Sequence, residues 1–416
     1  MTMARTPEKV VVVGAGHVGG LIARDVAARG DCRVTLIGRE ALTPYERPPL
    51  SKGVLFGDAA PEDASILTVE QAARLGIDLK LGREVVAIDR ERQNVICADG
   101  LPVPYDALVL ATGGRCRRLS VPGGDLAGIH YLRDAADALR LRAAMDAGGP
   151  LVVVGAGFIG LEVTAAARRR GIPVTVVEAT PQVLSRAVPR RIADRIADRH
   201  RGEGVDLRLE ARTVSIEGGG DGQVAGLTLG DGSTLPCRSL LVAVGIDPEV
   251  SLADAAGLAV ADGIVTDAAM RTSDPVIYAA GDSACFRSPL YGRALRLESW
   301  RNAQDHAAVI IDRLGGGDAV CEAAPWVWSD QYDWTLTLAG LPADGTATIT
   351  RSGADGTELH FHLDTDGVLV GASAWAPTGA AFRDMRIAQM LIERRACPDR
   401  AALADRESRL KRLLAA

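Results

Sequence analysis

Two stretches of the chain share one order of apolar and polar positions. In each, an uninterrupted apolar run leads into a glycine-rich turn, an amphipathic segment follows, and a second apolar run closes the unit. Short apolar runs bounded by glycine are typical of buried parallel strands. In the segment between the two runs, the spacing of apolar residues is typical of a helix. The sequence therefore predicts two βαβ units. The first comprises Lys9–Val13, GAGHVG at 14–19, a helix over about 18–29 and a strand over 33–37; the second comprises Leu151–Val154, GAGFIG at 155–160, a helix over 158–170 and Val174–Val177.

The rest of the chain alternates between the same kinds of pattern. The linker of three glycines at 315–317 separates it into an α/β part and a last segment that holds four of the five tryptophans. These tryptophans form either the core of that segment or, in one case, a cover for a cofactor. The predicted elements are a helical connection over 54–80, hairpin strands over 85–89 and 94–97, strands over 105–111, 240–245 and 276–280, a helix over 189–203, a helix that ends at Leu314, strands over 334–339, 346–351, 359–363 and 368–374, and a basic helix at the end.

This order of elements predicts an α/β protein with two Rossmann-like dinucleotide-binding domains and a small α+β domain at the C-terminal end. The first domain is discontinuous, because a strand after the second βαβ unit returns to it. The predicted bounds are 1–114 with 245–322 for the first domain, 115–244 for the second and 323–416 for the third.

The composition is that of an ordinary globular protein. Of 416 residues, 47% are hydrophobic and 24% are charged, and the formal net charge is −6. We expect neither a nucleic-acid partner nor a membrane, because no basic excess suits an anionic surface and no apolar run approaches the ~18 residues of a membrane span. The seven cysteines are scattered without a CxxC pair. This favours a cytoplasmic protein without a bound metal or a redox-active disulfide.

The glycine turns are the first candidate sites. Glycines at these spacings let the backbone turn tightly and approach a pyrophosphate at a helix N-terminus. Glu40 and Glu178 follow the first glycine of each turn by 26 and 23 residues, where a carboxylate binds a ribose. Glu178 should repel a 2′-phosphate, so we expect NADH to be preferred. Two alternatives are open: the first turn is purely structural, or the arginines at 168–170 form an NADPH clamp instead of merely suiting the helix dipole.

The stretch PVIYAAGDSACF at 275–286 indicates that the two glycine turns belong to one kind of protein. It predicts a buried strand over 276–280 that runs into a turn at Gly281 and Asp282. Two dinucleotide turns followed by such a strand are the sequence plan of a flavoprotein that binds FAD and a nicotinamide dinucleotide. Asp282 would accept a hydrogen bond from a ribityl hydroxyl of FAD. Thr112 and Gly113 follow another predicted strand, over 105–111, where small residues would let the chain pass close to the cofactor; the alternative is an ordinary exit from a strand into a loop.

A proline-rich loop, YERPPLSK at 45–52, follows the first unit. It contains Lys52, one of only four lysines among 47 basic residues. Arg47 and Lys52 are candidates for a cation beside flavin N5 and O4, where negative charge develops on reduction. The alternative is a stiff surface loop in which Ser51 caps a short helix. Glu162, in the first helical turn after the second glycine motif, either points at the nicotinamide or only suits the helix dipole.

Seven segments in this order and spacing resemble one protein family. Over essentially the whole chain they are similar to the FAD-dependent ferredoxin reductases of bacterial haem-thiolate monooxygenases and Rieske aromatic-ring oxygenases, which have a glutathione-reductase-like fold. The resemblance implies that NADH passes a hydride to FAD and that electrons then pass singly to a 2Fe-2S ferredoxin that feeds such an oxygenase. We expect a monomer or a homodimer. The segments are GAGHVG, PYERPPLSK, ATGG, GAGFIGLEV, TSDPVIYAAGD, ESW-NAQ and APWVWSDQYD.

The resemblance also implies which residues form the site. Lys52 and Glu162 are the expected catalytic pair, facing each other where flavin and nicotinamide meet. The family's FAD contacts fall on Gly14, Gly16, Glu40, Arg47, Lys52, Ala111, Asp282 and Trp328, its NADH contacts fall on Gly155, Gly157, Ile159, Glu162 and Glu178, and the surrounding turns add Ala15, His17, Val18, Gly19, Pro48, Thr112, Gly113, Gly281, Ser299, Trp300, Phe158, Gly160 and Gly245.

Two positions depart from the family pattern. His17 stands within the first glycine turn, where the family has an uncharged residue, and Cys116 follows Arg115, where the family often has proline. We expect neither departure to affect the chemistry.

Three other functions are open to the sequence. A disulfide or peroxide reductase of the same fold needs a cysteine beside the flavin, and residues 41–52 contain none. A signalling protein similar to apoptosis-inducing factor would share the fold, but a short chain without a targeting segment or disordered insert disfavours it. A flavin-free structural protein would leave both glycine turns unexplained.

An acidic ferredoxin would need a locally basic surface on this acidic chain. Residues 381–416 hold nine basic and five acidic side chains, and Arg115, Arg117 and Arg118 form a second basic cluster. We expect the ferredoxin to dock on the C-terminal domain. The alternative is that these arginines lie on solvated helix faces and pair with nearby carboxylates.

Overall fold

The computed structural model describes residues 7–220 and 222–414, which form two compact units. The first unit comprises the chain up to Arg47, Ala60–Arg115 and Asp247–Ala323; the second comprises Pro48–Ala59, Cys116–Ile246 and the chain from Ala324 onward. The predicted division into three domains stays a prediction. Its ends at 1–6 and 415–416 lie outside the described residues.

A five-stranded parallel sheet is the centre of the first unit. The four valines of its middle strand, Lys9–Val13, are at most 6% exposed, because both faces of the sheet are covered. The helix His17–Ala27 follows this strand and packs against the helix Trp300–Leu314. From edge to edge the strands are Ile277–Ala279, Ala107–Leu110, Lys9–Val13, Arg33–Gly38 and Asp78–Leu81.

Two smaller sheets and short helices complete the first unit. One sheet contains Val85–Asp89, Asn94–Cys97 and Pro102–Pro104, and the other contains Val260–Ala261, Gly263–Thr266, Ala284–Arg287 and Ala294–Leu295. The remaining helices are Val69–Arg74 and Ser251–Ala255, with single 3-10 turns at Pro61–Ala64 and Gly281–Ser283.

The second unit repeats the parallel plan and adds an antiparallel sheet. In its parallel sheet the strand order is Asp206–Arg208, Val174–Val177, Leu151–Val154, Ser239–Val242 and Ile129–His130. The helices Ala135–Asp146, Phe158–Arg169 and Arg190–Gly202 connect these strands. In the antiparallel sheet the order is Trp326–Gln331, Trp334–Gly340, Leu369–Pro377, Glu358–Leu363 and Ala347–Ser352.

The remaining elements of the second unit are short or peripheral. A three-stranded sheet contains Thr213–Gly218, Val224–Leu229 and Thr234–Pro236. The helices are Gly53–Phe56, Phe382–Glu393 and Arg400–Ala404, with 3-10 turns at Pro48–Ser51, Pro342–Asp344 and Leu410–Leu414. The strands Gly114–Cys116 and Ile246–Pro248 lie at the chain positions where the units alternate.

Ionic and aromatic contacts join the antiparallel sheet to the helix Arg190–Gly202 of the same unit. The Glu358 carboxylate, which is 7% exposed, lies 2.9 Å from the guanidinium of Arg191 and 3.0 Å from that of Arg195. These cations and the hydrogen bond from Arg191 lower the pKa of Glu358 to about 2. Arg195 also lies over the ring of Trp334, 5.8 Å from its centroid. We name these four side chains the sheet–helix clamp.

The predicted fold class is confirmed: two parallel sheets with crossover helices are accompanied by an antiparallel C-terminal sheet. The helical connection predicted over 54–80 is wrong at its end, because Asp78–Leu81 is an edge strand of the first parallel sheet. The prediction also missed the strand Trp326–Gln331. Among the residues that the structure describes, no helix is long and apolar enough to span a bilayer.

Candidate functional site

The first glycine turn is shaped by the absence of side chains. A Cβ at Gly14, which has φ +110°, would lie 2.1 Å from the Ala111 carbonyl oxygen, and one at Gly19 would lie 1.9 Å from the Gly14 carbonyl oxygen. Both positions therefore require glycine for packing. Gly16 is different, because the nearest atom to its Cβ would be a guanidinium nitrogen of Arg47 at 3.7 Å. The middle glycine is therefore uncrowded at the N-terminus of the helix His17–Ala27, the kind of place at which a pyrophosphate can bind.

The second glycine turn repeats this geometry in the second unit. A Cβ at Gly155 would lie 2.4 Å from the Ala243 carbonyl oxygen, and one at Gly160 would lie 2.0 Å from the Gly155 carbonyl oxygen. A Cβ at Gly157 would meet no atom within 4 Å. Both turns thus fit a dinucleotide, since each exposes one bare backbone segment that its other two glycines hold in place.

An acid follows the second strand of each βαβ unit, as predicted. The Glu40 carboxylate accepts hydrogen bonds from the Tyr45 hydroxyl at 2.5 Å and from Arg47 at 2.8 Å. The Glu178 carboxylate accepts from the Ala156 amide at 2.7 Å, and from the amide and hydroxyl of Thr180 at 2.8 Å. Glu178 is therefore fixed at the glycine turn itself.

The Gly-Asp stretch ends at the same edge of the first parallel sheet. Gly281, with φ +72°, opens a 3-10 turn that carries Asp282, directly after the strand Ile277–Ala279. The Gly281 amide donates to Nδ1 of His306 at 3.1 Å. His306 is fully buried, and burial lowers its pKa to about 3, so the imidazole is neutral and able to accept.

Neighbouring turns support this edge. The Ala111 amide donates to the Val13 carbonyl at 2.8 Å, which ties the end of the strand Ala107–Leu110 to the first glycine turn. The Thr112 hydroxyl donates to the Glu249 carbonyl at 2.6 Å, and the Glu249 amide donates to the Gly113 carbonyl at 2.8 Å. The carboxyl ends of three parallel strands therefore meet around the first turn, as in other doubly wound sheets that bind ligands there.

Lys52 and Glu162 contact each other within the second unit. The Lys52 ammonium lies 3.1 Å from both carboxylate oxygens of Glu162, which is 5% exposed. Glu162 also accepts from the Ser51 hydroxyl and, at 2.8 Å, from the Ser329 hydroxyl. Donors from three side chains therefore surround this buried carboxylate, as a buried polar group requires. The predicted contact is present, while the catalytic role of the pair stays a prediction.

A chain of hydrogen bonds continues from this pair. The Gln331 amide donates to the Ser329 hydroxyl at 3.2 Å, and its oxygen lies 2.9 Å from Nε2 of His200. The Tyr332 hydroxyl lies 3.0 Å from Nδ1 of the same histidine. Burial lowers the pKa of His200 to about 4, so its ring is neutral. The antiparallel sheet thus orients the Glu162 carboxylate through buried polar side chains.

The other predicted cofactor residues lie at the ends of these same elements. Ala15 and Val18 are buried beside the first turn, and Pro48 begins the 3-10 turn that precedes Lys52. Phe158 and Ile159 begin the helix after the second turn, and the Ile159 side chain is 42% exposed. The remaining positions are Gly113 with φ +68°, Gly245 with φ +103°, Ser299 as the N-cap of Trp300–Leu314, and Trp328 half-buried in Trp326–Gln331.

Sequence reasoning missed several residues that fix the predicted ones. Ser51 and Ser329 bind Glu162, His306 binds the Gly281 amide, and Gln304 contacts His17. Only one signal was available: Gln304 is the last residue of the ESW-NAQ segment and His306 lies two residues after it. Ser51 was considered only as a helix cap, but its hydroxyl donates to Glu162.

Comparison with known proteins agrees with this geometry. A family described as pyridine nucleotide-disulphide oxidoreductase matches residues 8–307, and one described as reductase C-terminal matches 326–414. The ferredoxin–NAD(+) reductase component of the anthranilate 1,2-dioxygenase system of Burkholderia cepacia is 40% identical over 409 residues, which cover 97% of this chain and 98% of that protein.

Putidaredoxin reductase of Pseudomonas putida is 39% identical over 368 residues, which cover 87% of each chain. A crystal structure of the covalent putidaredoxin reductase–putidaredoxin complex superimposes with a TM-score of 0.93 at 36% identity, over 98% of both chains.

The two kinds of glycine should respond differently to a single methyl group. Gly157→Ala adds a Cβ to open space, so the protein should keep its stability while the KM for NADH rises by about tenfold or more, because the methyl group takes the room of a phosphate. Gly160→Ala forces the helix away from a carbonyl oxygen and should lower the free energy of unfolding by about 1–3 kcal/mol. Thermal unfolding and NADH-dependent reduction of ferricyanide measure both effects. Equal loss of stability in the two variants would contradict this assignment.

Proposed function

The chain belongs to the pyridine nucleotide-disulphide oxidoreductase family, and we propose that within it the chain is an FAD-containing ferredoxin reductase that oxidises NADH. Its electron acceptor is a 2Fe-2S ferredoxin that feeds a haem-thiolate monooxygenase or a Rieske oxygenase, and its compartment is the cytoplasm. The family resemblance expected from the sequence motifs is confirmed.

The observation that carries this proposal is the ion pair of Lys52 and Glu162. A disulfide reductase of this fold needs a cysteine beside its flavin, and residues 41–52 contain none. The chain instead ends this segment with a lysine that a buried carboxylate holds at 3.1 Å. Similarity to ferredoxin reductases over 97% of the chain supports the same conclusion.

The residues of the two turns would hold the cofactors. Bound FAD would supply the chemistry that converts a hydride from NADH into single electrons. The first turn, with Glu40, Arg47 and Asp282, would bind FAD through its pyrophosphate, ribose and ribityl groups. The second turn, with Glu178, would bind NADH. Lys52 supplies a fixed positive charge, and Glu162 with its serine partners determines where that charge stays.

We also propose the domain bounds that the sequence predicts. Residues 1–114 with 245–322 bind FAD, 115–244 bind NADH, and 323–416 form the C-terminal domain. The separate family match to residues 326–414 supports the last boundary.

A direct test combines spectroscopy with acceptor choice. The purified protein should be yellow with a flavin absorption spectrum, and NADH should reduce a 2Fe-2S ferredoxin in its presence. Glutathione disulfide and hydrogen peroxide, offered as acceptors under the same conditions, should not support comparable turnover. A preparation that reduces a disulfide and leaves every ferredoxin oxidised would overturn the proposal.

Glu178 should determine the choice of dinucleotide. Its carboxylate is held at the turn by Ala156 and Thr180, so kcat/KM should favour NADH over NADPH by about tenfold or more, because the 2′-phosphate meets a fixed negative charge. Glu178→Gln keeps an acceptor oxygen and should narrow this ratio. Glu203→Gln, on the exposed end of another helix, serves as the control and should leave it unchanged. Equal kcat/KM for both dinucleotides in the unmodified protein would refute the assignment.

Lys52 should act on the flavin by charge. Lys52→Met should lower the flavin reduction potential or slow hydride transfer while FAD stays bound, because a cation stabilises the electron-rich reduced ring. Lys80→Met is a matched control, since Lys80 pairs with Asp78 at 3.0 Å on an edge strand. Stopped-flow reduction by NADH measures both variants. Unchanged flavin reduction in Lys52→Met would show that Lys52 is only a loop cation.

A basic and apolar surface supports docking of an acidic ferredoxin. Along the helix Phe382–Glu393 and its end, Arg383 and Arg394 are exposed, and two apolar side chains are also exposed: Phe382 by 59% and Met390 by 39%. Arg386 completes the row but lies over the Trp326 ring, 5.7 Å from its centroid. We name these five side chains the basic helix face. A mixed apolar and cationic surface is suited to a protein partner with acidic residues around an apolar centre.

Ferredoxin reduction should therefore slow as salt rises, since exposed attraction is screened over ~8–10 Å at 0.1–0.15 M. NADH-to-ferricyanide turnover should change much less, because that oxidant needs no docked protein. Charge reversal at Arg383, Arg386, Arg394 or Arg395 should raise the KM for ferredoxin and spare that for NADH. Arg383→Glu is the cleanest variant, because Arg386 also packs on Trp326.

Arg190→Glu is the matched control, since Arg190 is an exposed arginine that pairs with Asp194 on another helix of the same unit. Ferredoxin reduction that ignores both salt and all four reversals would place the docking surface elsewhere.

A further inference from the structure

The inference concerns His17, the residue that follows the middle glycine of the first turn. His17 is the first residue of the helix His17–Ala27, and the N-cap before it, Gly16, has no side chain to satisfy the helix N-terminus. The imidazole is only 8% exposed. It lies against the helix Trp300–Leu314, with its centroid 5.5 Å from the Trp300 ring. A buried imidazole at this place needs partners for both ring nitrogens.

His17 is neutral at physiological pH. Burial lowers its pKa to about 4; nearby Asp282 opposes the shift, and the positive charges of Arg47 and Arg24 add to it. A neutral imidazole carries one proton, so one nitrogen donates and the other accepts.

Gln304 decides which nitrogen carries that proton. Its amide nitrogen lies 3.2 Å from Nε2 of His17. Because an amide nitrogen can only donate, Nε2 must accept and the proton must sit on Nδ1. The Nδ1–H group is buried and has no hydrogen-bond partner among the described residues. The turn thus contains a donor that its own protein leaves unused.

An anionic ligand would give the Nδ1–H group of His17 the hydrogen-bond acceptor that it lacks. The groups around it are Arg47, which is the nearest group to the open face of Gly16 at 3.7 Å, Arg24 and the acid Asp282. Two of these three charged groups are cations, and the helix N-terminus adds a partial positive charge, so the surroundings favour an oxyanion although Asp282 opposes it. The Nδ1–H of a histidine supplies a directed hydrogen bond, which the bare backbone of the turn does not add by itself.

We propose that Nδ1 of His17 donates a hydrogen bond to a phosphate oxygen of the dinucleotide bound at the first glycine turn, and that Gln304 is the positioning residue that keeps the proton on Nδ1. This inference rests on the proposed function, because the dinucleotide is the FAD proposed there. In this proposal the phosphate is bound by a side chain of the glycine motif as well as by the backbone of the turn.

Substitutions of His17 can distinguish the effect of losing the Nδ1 donor from the effect of losing the imidazole ring. The nitrogen of an asparagine amide reaches about as far as Nδ1, whereas that of glutamine reaches about as far as Nε2. After removal of bound flavin, the apoprotein is titrated with FAD and the quenching of flavin fluorescence is followed. His17→Leu and His17→Gln should weaken FAD binding by about tenfold, the size expected for one hydrogen bond to a charged group, and His17→Asn should restore most of it.

A second probe identifies the acceptor. ADP contains the pyrophosphate and lacks the flavin, and riboflavin contains the flavin and lacks phosphate. Competition by ADP should weaken in His17→Leu by a similar factor, while binding of riboflavin should not change. Thermal unfolding of each apoprotein shows whether a variant has lost affinity merely by losing its fold, and the rescue by His17→Asn separates the two explanations.

The role of Gln304 has its own readout. In protein labelled with ¹⁵N-histidine, the shifts of His17 should report a proton on Nδ1, and Gln304→Leu should move part of the population to the Nε2 tautomer and weaken FAD binding severalfold. Equal FAD affinity in all three His17 variants, or a proton on Nε2 in the unmodified protein, would overturn the inference. If the unmodified apoprotein binds no FAD at all, the proposed function itself fails, which is a different result.

Discussion

The carbonyl oxygens of Gly14 and Gly155 lie where a side chain on the third glycine of each turn would have to begin, about 2 Å from an ideal Cβ. This steric constraint determines the backbone path of both glycine turns. It lets each helix start directly behind its strand, so that the helix N-terminus opens at the carboxyl edge of the sheet. The middle glycine, which no neighbour crowds, then leaves the backbone bare at that point. Glu178 binds the backbone of the second turn, and Gln304 and Arg47 lie against the first.

The helix Trp300–Leu314 shows how one element can serve two turns. Gln304 contacts His17 in the first glycine turn, and two residues later His306 accepts from the Gly281 amide. Both histidines are buried, and burial keeps both neutral. In each case the neutral ring uses one nitrogen as an acceptor, which a charged imidazolium could not do. Desolvation is therefore part of how the first unit holds its turns, since it decides the direction of these hydrogen bonds.

Much of this architecture follows from sequence, because it depends on local patterns. Apolar runs predicted Lys9–Val13 and Leu151–Val154, and glycine spacing predicted the turns, since both are short-range consequences of backbone sterics. The edge strand Asp78–Leu81 was missed, because its sequence DLKL has no uninterrupted apolar run and only the neighbouring strand makes it a strand. Local pattern cannot show a pairing that tertiary contact creates.

In the candidate site, too, residues within sequence motifs were predicted, while their partners far away in the sequence were not. Lys52 and Glu162 were predicted to meet because family motifs carry both. Ser51 was within one of those motifs, but its bond to Glu162 joins positions 111 residues apart, and the bond from Ser329 joins positions 167 residues apart. The unpaired proton of His17 depends on Gln304, 287 residues away. These partners share no spacing rule, so only the folded chain reveals them.

The sheet–helix clamp has a consequence for protein engineering. Glu358 and Trp334 belong to the C-terminal sheet, while Arg191 and Arg195 belong to a helix encoded far upstream. Exchange of the last ninety or so residues between homologues is therefore not a modular operation. A transplanted segment without an acid at 358 would leave Arg191 and Arg195 without their carboxylate. A segment without an aromatic ring at 334 would also remove the contact of Arg195 with that ring. To change the redox partner, it is therefore safer to substitute exposed side chains of the native C-terminal sheet and to keep its contacts with the helix Arg190–Gly202.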